Sequence, residues 1–272
     1  MMRMPRARRA LAAPLLLAGL GLTACGSGGS TDAGASASAG ASTSASPSAS
    51  AVTGEVTVLA AASLTESFNA MAKAYEAANP GVSIRLSYGS STTLAQQIAA
   101  GAPADLYASA GEKALDQLPA EAKAKPTTTI ATNSLEIAVP PANPGKVTGL
   151  ESLGDQALHV VLCAETVPCG SAADSVLSKA GVTAHVVSRE VDVKATLAKI
   201  TLGEADAAIV YVTDVTSAGD KVKGIEIPTA QNTTLKYPLV QLTSTPASEG
   251  FAAFVTGPEG RKALAASGFS TP

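Results

Sequence analysis

From residue 54 onward the chain keeps switching between two periodicities, and that alternation limits its folds more than any other feature. Residues 56–59 are β-branched or aliphatic and read as a buried strand. Three alanines and Ser63 break it. Residues 64–78 then place Phe68, Met71, Ala72 and Tyr75 on one helical face. Asn79-Pro80-Gly81 stops that helix. Residues 82–88 alternate as a second strand, 89–93 turn, and 94–100 are helical. After Gly101-Ala102-Pro103, residues 105–108 form a strand and 109–118 a helix. Strand and helix in alternation predict a parallel sheet with right-handed crossovers.

A second unit of the same kind begins near Ser134. Strands are expected at 135–139, 159–163, 182–187, 207–211 and 225–227. Helices are expected at 152–153, 170–180 and 193–203, with a helical turn at Asp214. Residues 235–242 are extended again, and helices at 248–255 and 259–267 close the chain. The expected architecture is α/β, with the second unit inserted into the first. The return of the last strand and helices to the first unit rests on fold analogy. Ligands of open α/β sheets sit at the C-terminal ends of the strands.

Before residue 54 the composition changes. Arg3, Arg6, Arg8 and Arg9 precede an apolar run at 11–22 that is too short to span a bilayer comfortably. It ends in Leu22-Thr23-Ala24-Cys25, which resembles the lipobox of bacterial lipoproteins. That resemblance implies a leader over 1–24 and a lipid anchor on Cys25. An ordinary secretory leader would export the chain equally. Residues 25–53 are almost entirely Ser, Ala, Gly and Thr and read as a flexible tether.

The chain carries 19 Lys+Arg against 22 Asp+Glu, and loss of the four leader arginines would take its formal charge from −3 to about −7. Bulk charge therefore argues against nucleic acid as a partner. Tryptophan is absent, so stacking platforms for bases or sugars are not expected. Cys163 and Cys169 stand six apart in LCAETVPCG. On an exported chain they read as a disulfide closing a short loop. Free or metal-bound thiols are the alternative, with no histidine near enough in sequence to support zinc.

Four junctions break a strand with a short turn before a helix: Ser63, Ser90-Ser91, Val167-Pro168-Cys169-Gly170 and Glu190-Val191-Asp192-Val193. A helix start leaves backbone N–H groups unpaired at the positive end of its dipole. Pro168 suits such a start because it needs no donor. Tyr211, at a strand end, adds a phenol. Together these make a ring of neutral donors suited to a small oxyanion that presents no proton. No Gly-rich loop followed by Lys suggests a nucleotide. Each residue also has a plain structural reading: Ser63 as a helix N-cap, Tyr211 as core, Cys169 as a structural thiol, Asp105 as a structural carboxylate. His159 and His185 fall in expected strands and are not read as ligands. Lys194 lies beside the ring without being placed on the anion.

The segments VTVLAAASLTESF, GSSTTLAQQIAAGAPADLYASA, ATNSLEIAVP, VPCGSAA, VDVKATLAKI and ADAAIVYVTDV, in this order, resemble the molybdate-binding proteins of ABC transporters, which are class II periplasmic binding proteins. The resemblance covers nearly all of 54–272. It implies two lobes, each a mixed, mostly parallel sheet flanked by helices, with lobe 1 formed by 54–132 and 237–272 and lobe 2 by 133–236. It further implies molybdate or tungstate held by five residues: Ser63, Ser91 (with Ser90 as the competing neighbour), Cys169 and Val193 through backbone N–H, and Tyr211 through its hydroxyl. Cys169 departs from the family's commoner Ala, which a backbone donor tolerates. The implied protein is a monomer on the outer face of the cytoplasmic membrane. It needs no cofactor, binds molybdenum only as the oxyanion, and hands it to an ABC permease. The competing expectations are another tetrahedral oxyanion (sulfate, thiosulfate or phosphate), a surface adhesin, or a hydrolase using Ser63 or Ser91. A hydrolase would need a base in reach, and the chain has two histidines and no G-x-S-x-G elbow.

Overall fold

The computed structural model describes residues 52–272. The leader, Cys25 and all but the last two tether residues lie outside this range. Val52, assigned above to the tether, is half-buried and packs on the core.

Chain order is β1 (Gly54–Ala61), a 3-10 turn (Ala62–Leu64), α1 (Thr65–Ala78), β2 (Val82–Gly89), α2 (Ser91–Ala99), β3 (Leu106–Ala108), α3 (Ala120–Lys123) and β4 (Thr127–Val139). There follow β5 (Val160–Cys163), α4 (Pro168–Ala180), β6 (Val186–Glu190), α5 (Val193–Thr201), β7 (Ala207–Tyr211), α6 (Val212–Ala218) and β8 (Lys223–Glu226). β9 (Thr234–Gln241), α7 (Pro246–Thr256) and α8 (Pro258–Ala266) complete the chain.

The strands join in the order β2-β1-β3-β9-β4-β7-β5-β6, with β8 also on β4. β1 pairs in parallel with β2 and β3, and β5 in parallel with β6 and β7. Between these parallel groups lie the antiparallel strands β9 and β4. β4 belongs to both halves. Thr127–Ser134 pairs with β9, and from Leu135 onward the strand pairs with β7 and β8. Both groups are apolar enough to be covered on two faces: Val56, Val58, Val160, Val161, Ile209 and Val210 are all buried.

Three expectations are corrected. The helix expected at 109–118 is only a 3-10 turn, Glu112–Gln117, because Gly111 takes φ +92° before it and Pro119 follows it. The strand expected at 182–187 lies at Val186–Glu190, where pairing with β5 fixes it, while Val182 and Ala184 pack on the core from the preceding loop. The strand expected from Leu135 begins at Thr127. Its first residues are exposed threonines with no alternation to mark them.

Candidate functional site

The loops after β1, β2, β5 and β6, and the last residue of β7, converge on one small cavity. Ser63, Ser91, Cys169, Val193 and Tyr211 all line it, together with Ala62, Ser90, Ala110, Pro168 and Asp192. The five expected contacts are 1–4% exposed. Lys194, Asp105, His159 and His185 are not among the lining residues.

Each junction supplies donors by a different local device. Ser63 lies inside the 3-10 turn, and α1 has Leu64 at its N-cap with no side-chain cap, so Ser63 is not the N-cap expected above. Its hydroxyl instead meets the Tyr237 hydroxyl at 3.0 Å. At α2, Ser90 is the cap, accepting from the Thr93 N–H. Ser91 follows as the first helical residue, and its Oγ accepts from the Ala110 N–H at 2.9 Å, leaving its own O–H free to donate. The cap role thus falls on Ser90 and the inward-facing role on Ser91.

α4 starts at Pro168, and the first of its N–H groups to find a helical carbonyl is that of Ser171, on Val167. The N–H groups of Cys169 and Gly170 come earlier and have no helical acceptor. A side chain at Gly170 would overlap the Ala164 carbonyl, so only glycine lets this turn close on itself. Cys163 and Cys169 are joined as a disulfide, Cα–Cα 5.7 Å, tying the end of β5 to the start of α4. Arg189 braces the same loop, donating to the Cys163 carbonyl and to Asp174. At α5, Asp192 caps the Ala195 N–H, and Val193 and Lys194 precede it with free N–H groups.

Tyr211 differs from the rest. Its hydroxyl is buried and has no hydrogen-bond partner among the described residues. Burial, with Tyr237 and Asp214 adding to it, holds its phenol well above the ordinary value. It therefore stays protonated at neutral pH and can only gain by donating.

Behind the cavity lies a polar cluster that the sequence did not reveal. Asn133 on β4 donates to Thr213 at 2.8 Å and to Tyr237 on β9 at 3.4 Å. Tyr237 packs edge-on against Tyr211 with ring centroids 6.2 Å apart. Asn133 and Tyr237 sit on the two strands that link the halves, and nothing in their local sequence separates them from ordinary strand residues. Asp105 has the structural role expected, accepting from the Thr57 N–H and the Thr243 hydroxyl.

Asp192, whose carboxylate caps Ala195, is the one charged residue among those lining the cavity, and a second charged network lies beside the ring. The Lys194 ammonium contacts both Glu66 carboxylate oxygens (2.9 and 3.1 Å), the Ser217 hydroxyl (3.0 Å) and Asp214 Oδ1 (3.3 Å). Asp214 is fully buried, and its Oδ2 accepts from the Tyr211 N–H. Burial raises its carboxyl to about 6, Lys194 and the Tyr211 N–H opposing that rise. Among the described residues no helix is long and apolar enough to cross a membrane, and no cluster of three or more His, Cys, Asp or Glu is placed to hold a metal ion.

Residues 56–270 match the family of bacterial extracellular solute-binding proteins. The molybdate-binding protein ModA of Mycobacterium tuberculosis is 37% identical over 221 residues, covering 80% of this chain and 85% of that protein. Among solved structures, the periplasmic molybdate-binding protein of Azotobacter vinelandii aligns with a TM-score of 0.69 at 20% identity, over 80% of this chain and 99% of that one. The sulfate-binding protein SubI of Mycobacterium tuberculosis aligns at 0.68 and 20% identity, over 80% of this chain and 86% of that one. At that identity both structures bear on the fold alone.

Proposed function

We propose that this chain, which belongs to the bacterial extracellular solute-binding proteins, captures molybdate or tungstate outside the cell for delivery to an ABC permease. The observation that carries the reading is the Tyr211 hydroxyl: fully buried, held protonated, and unpartnered on the wall of a cavity that helix starts and serine hydroxyls also line. A buried donor without a partner costs about 1–3 kcal/mol, and an oxyanion in the cavity would remove that cost. Helix starts supply both free donors and the favourable end of the dipole to such an anion.

In this reading Ser63 and Ser91 donate hydroxyls, Cys169 and Val193 donate backbone N–H groups, and Tyr211 donates its phenol. Residues 54–132 with 237–272 act as one lobe and 133–236 as the other. The lobes close on the ion by bending where β4 and β9 cross between them. The protein works as a monomer, tethered to the membrane through a lipid on Cys25. Charge neutrality of the ring suits a dianion that keeps no proton at neutral pH. Phosphate, which does keep one, would want an acceptor, and the lining carboxylate, Asp192, already caps Ala195.

Isothermal titration with molybdate, tungstate, sulfate and phosphate tests this. Tight binding of the first two is expected, with sulfate and phosphate much weaker. Tyr211→Phe should weaken molybdate binding about tenfold to a hundredfold, the worth of one hydrogen bond to a charged group. No heat with molybdate or tungstate would end the proposal, and a preference for sulfate would move it to the other oxyanion class.

A further inference from the structure

Lys194 is one residue past Val193, yet its ammonium does not face the cavity. It is engaged by four oxygens, and these come from both halves of the molecule. Glu66 lies in the first turn of α1, which packs against β2, α7 and α8. Lys194 itself, Asp214 and Ser217 lie on α5 and α6, which pack against β7 and each other. The contact between Lys194 and Glu66 thus spans the two halves immediately beside the ring. Each charged member is also close in sequence to a proposed ion contact: Glu66 follows Ser63 by three residues, Lys194 follows Val193 by one, and Asp214 follows Tyr211 by three.

We propose that Lys194 and Glu66 form an ion-paired latch that assembles only when the two halves meet, and that it sets how slowly the bound oxyanion leaves. The latch rests on the closing motion proposed above. When the halves part, Lys194 keeps Asp214 and Ser217, which move with it, and gives up only Glu66. Asp214 is thereby never left as a lone buried charge, so opening carries no large electrostatic penalty. What is lost is one bidentate carboxylate–ammonium contact with side chains 44% and 26% exposed, a small but real contribution. Closing the latch brings one cation against one further carboxylate, Glu66, so the Lys194–Glu66 contact itself adds no net charge beside the ring. A second bond crosses the halves, Thr92 Oγ1 donating to the Thr166 carbonyl at 3.0 Å, but it is uncharged and insensitive to salt.

The test follows release of labelled molybdate from the full folded protein into excess unlabelled molybdate. Glu66→Gln should speed release about twofold to fivefold, as expected for losing one partly exposed ion pair, while leaving the association rate within about 1.5-fold. Lys194→Arg should keep release slow, because a guanidinium can still span Glu66 and Asp214. Glu204→Gln, which breaks the local Lys199–Glu204 pair beyond the C-terminus of α5, should change neither rate. The gap between the native protein and Glu66→Gln should shrink as salt rises from about 0.05 to about 0.5 M. A role in folding alone would lower the melting point of the ligand-free protein and leave release unchanged. That result, or equal release rates in the native protein and Glu66→Gln, overturns the latch. Failure of the native protein to take up molybdate or tungstate would instead refute the binding function, and the latch with it.

Discussion

The two halves of the molecule approach the same cavity with different chemistry. The first half offers hydroxyls, Ser63 and Ser91, held by neutral hydrogen bonds to Tyr237 and to the Ala110 N–H. The second half offers one hydroxyl, the Tyr211 phenol, whose own N–H is held by the buried Asp214 carboxylate, and otherwise backbone N–H groups at Cys169 and Val193, which it holds with heavier devices: a disulfide, a glycine that admits no side chain and an aspartate cap. Where a side chain donates, the residue itself is constrained. Where the backbone donates, the constraint moves to the residues that fix the backbone, and the named position becomes tolerant.

Gly170→Ala should break this contrast hardest. Its methyl has nowhere to go but into the Ala164 carbonyl, so the chain should lose about 3 kcal/mol or more of stability by denaturant unfolding, within the upper range for overpacking. Ser63→Ala and Ser91→Ala only remove an oxygen and have no such clash to create.

Asp214 gives a pH-dependent version. Burial raises its folded-state carboxyl to about 6, above the ordinary carboxylate value, so the folded protein holds that proton more tightly than the unfolded chain. Its contribution to stability is therefore full below about pH 4 and is lost as pH rises through about 6. Asp214→Asn keeps an acceptor for the Tyr211 N–H and carries no charge. Its stability relative to the native protein should rise by roughly 2 kcal/mol between pH 4 and 7, measured by thermal unfolding at each pH. A difference that stays flat with pH would contradict a raised carboxyl.

The smallest effect tests the backbone claim itself. Asp192 is extended (φ −158°, ψ 176°), the conformation that a following proline demands, and Val193 is the first helical residue, where proline is tolerated. Val193→Pro should fold, lose one donor and bind molybdate about tenfold more weakly by titration, the value of roughly one hydrogen bond. Val193→Ala, which keeps the N–H, should bind like the native protein. Equal weakening by both would show that the valine side chain matters and would narrow the difference between the two halves.

The same contrast explains what could be read in advance. Strand–turn–helix junctions are local, so the four junctions and Tyr211 are legible in the sequence; the family resemblance singles out the individual contact residues, and all five line one cavity. The local cues also misled in places. Ser63 has the sequence of an N-cap, but the 3-10 turn leaves it one residue before the cap, Leu64, and its hydroxyl meets that of Tyr237 instead of a helix N–H. The polar cluster behind the cavity was invisible because Asn133 and Tyr237 lie about a hundred residues apart and meet only through the pairing of β4 and β9. The start of β4 is not legible in the sequence because Thr127–Thr129 look like a polar linker, and only their pairing with β9 makes them strand.

β4 changes neighbours between Ser134 and Leu135 without leaving extended backbone. Both of its ends are therefore anchored in hydrogen-bonded ladders whose registers are set independently. Sliding by a single residue would turn Leu135 and Ile137 out of the core and bring their half-buried neighbours Ser134 and Glu136 in. Lengthwise slippage is thus forbidden at this joint, while gentle flexing of a continuous ribbon is cheap. Under the proposed closing motion, such a ribbon returns the halves to the same alignment each time, so repeated cycles of loading and discharge would need no corrective refolding.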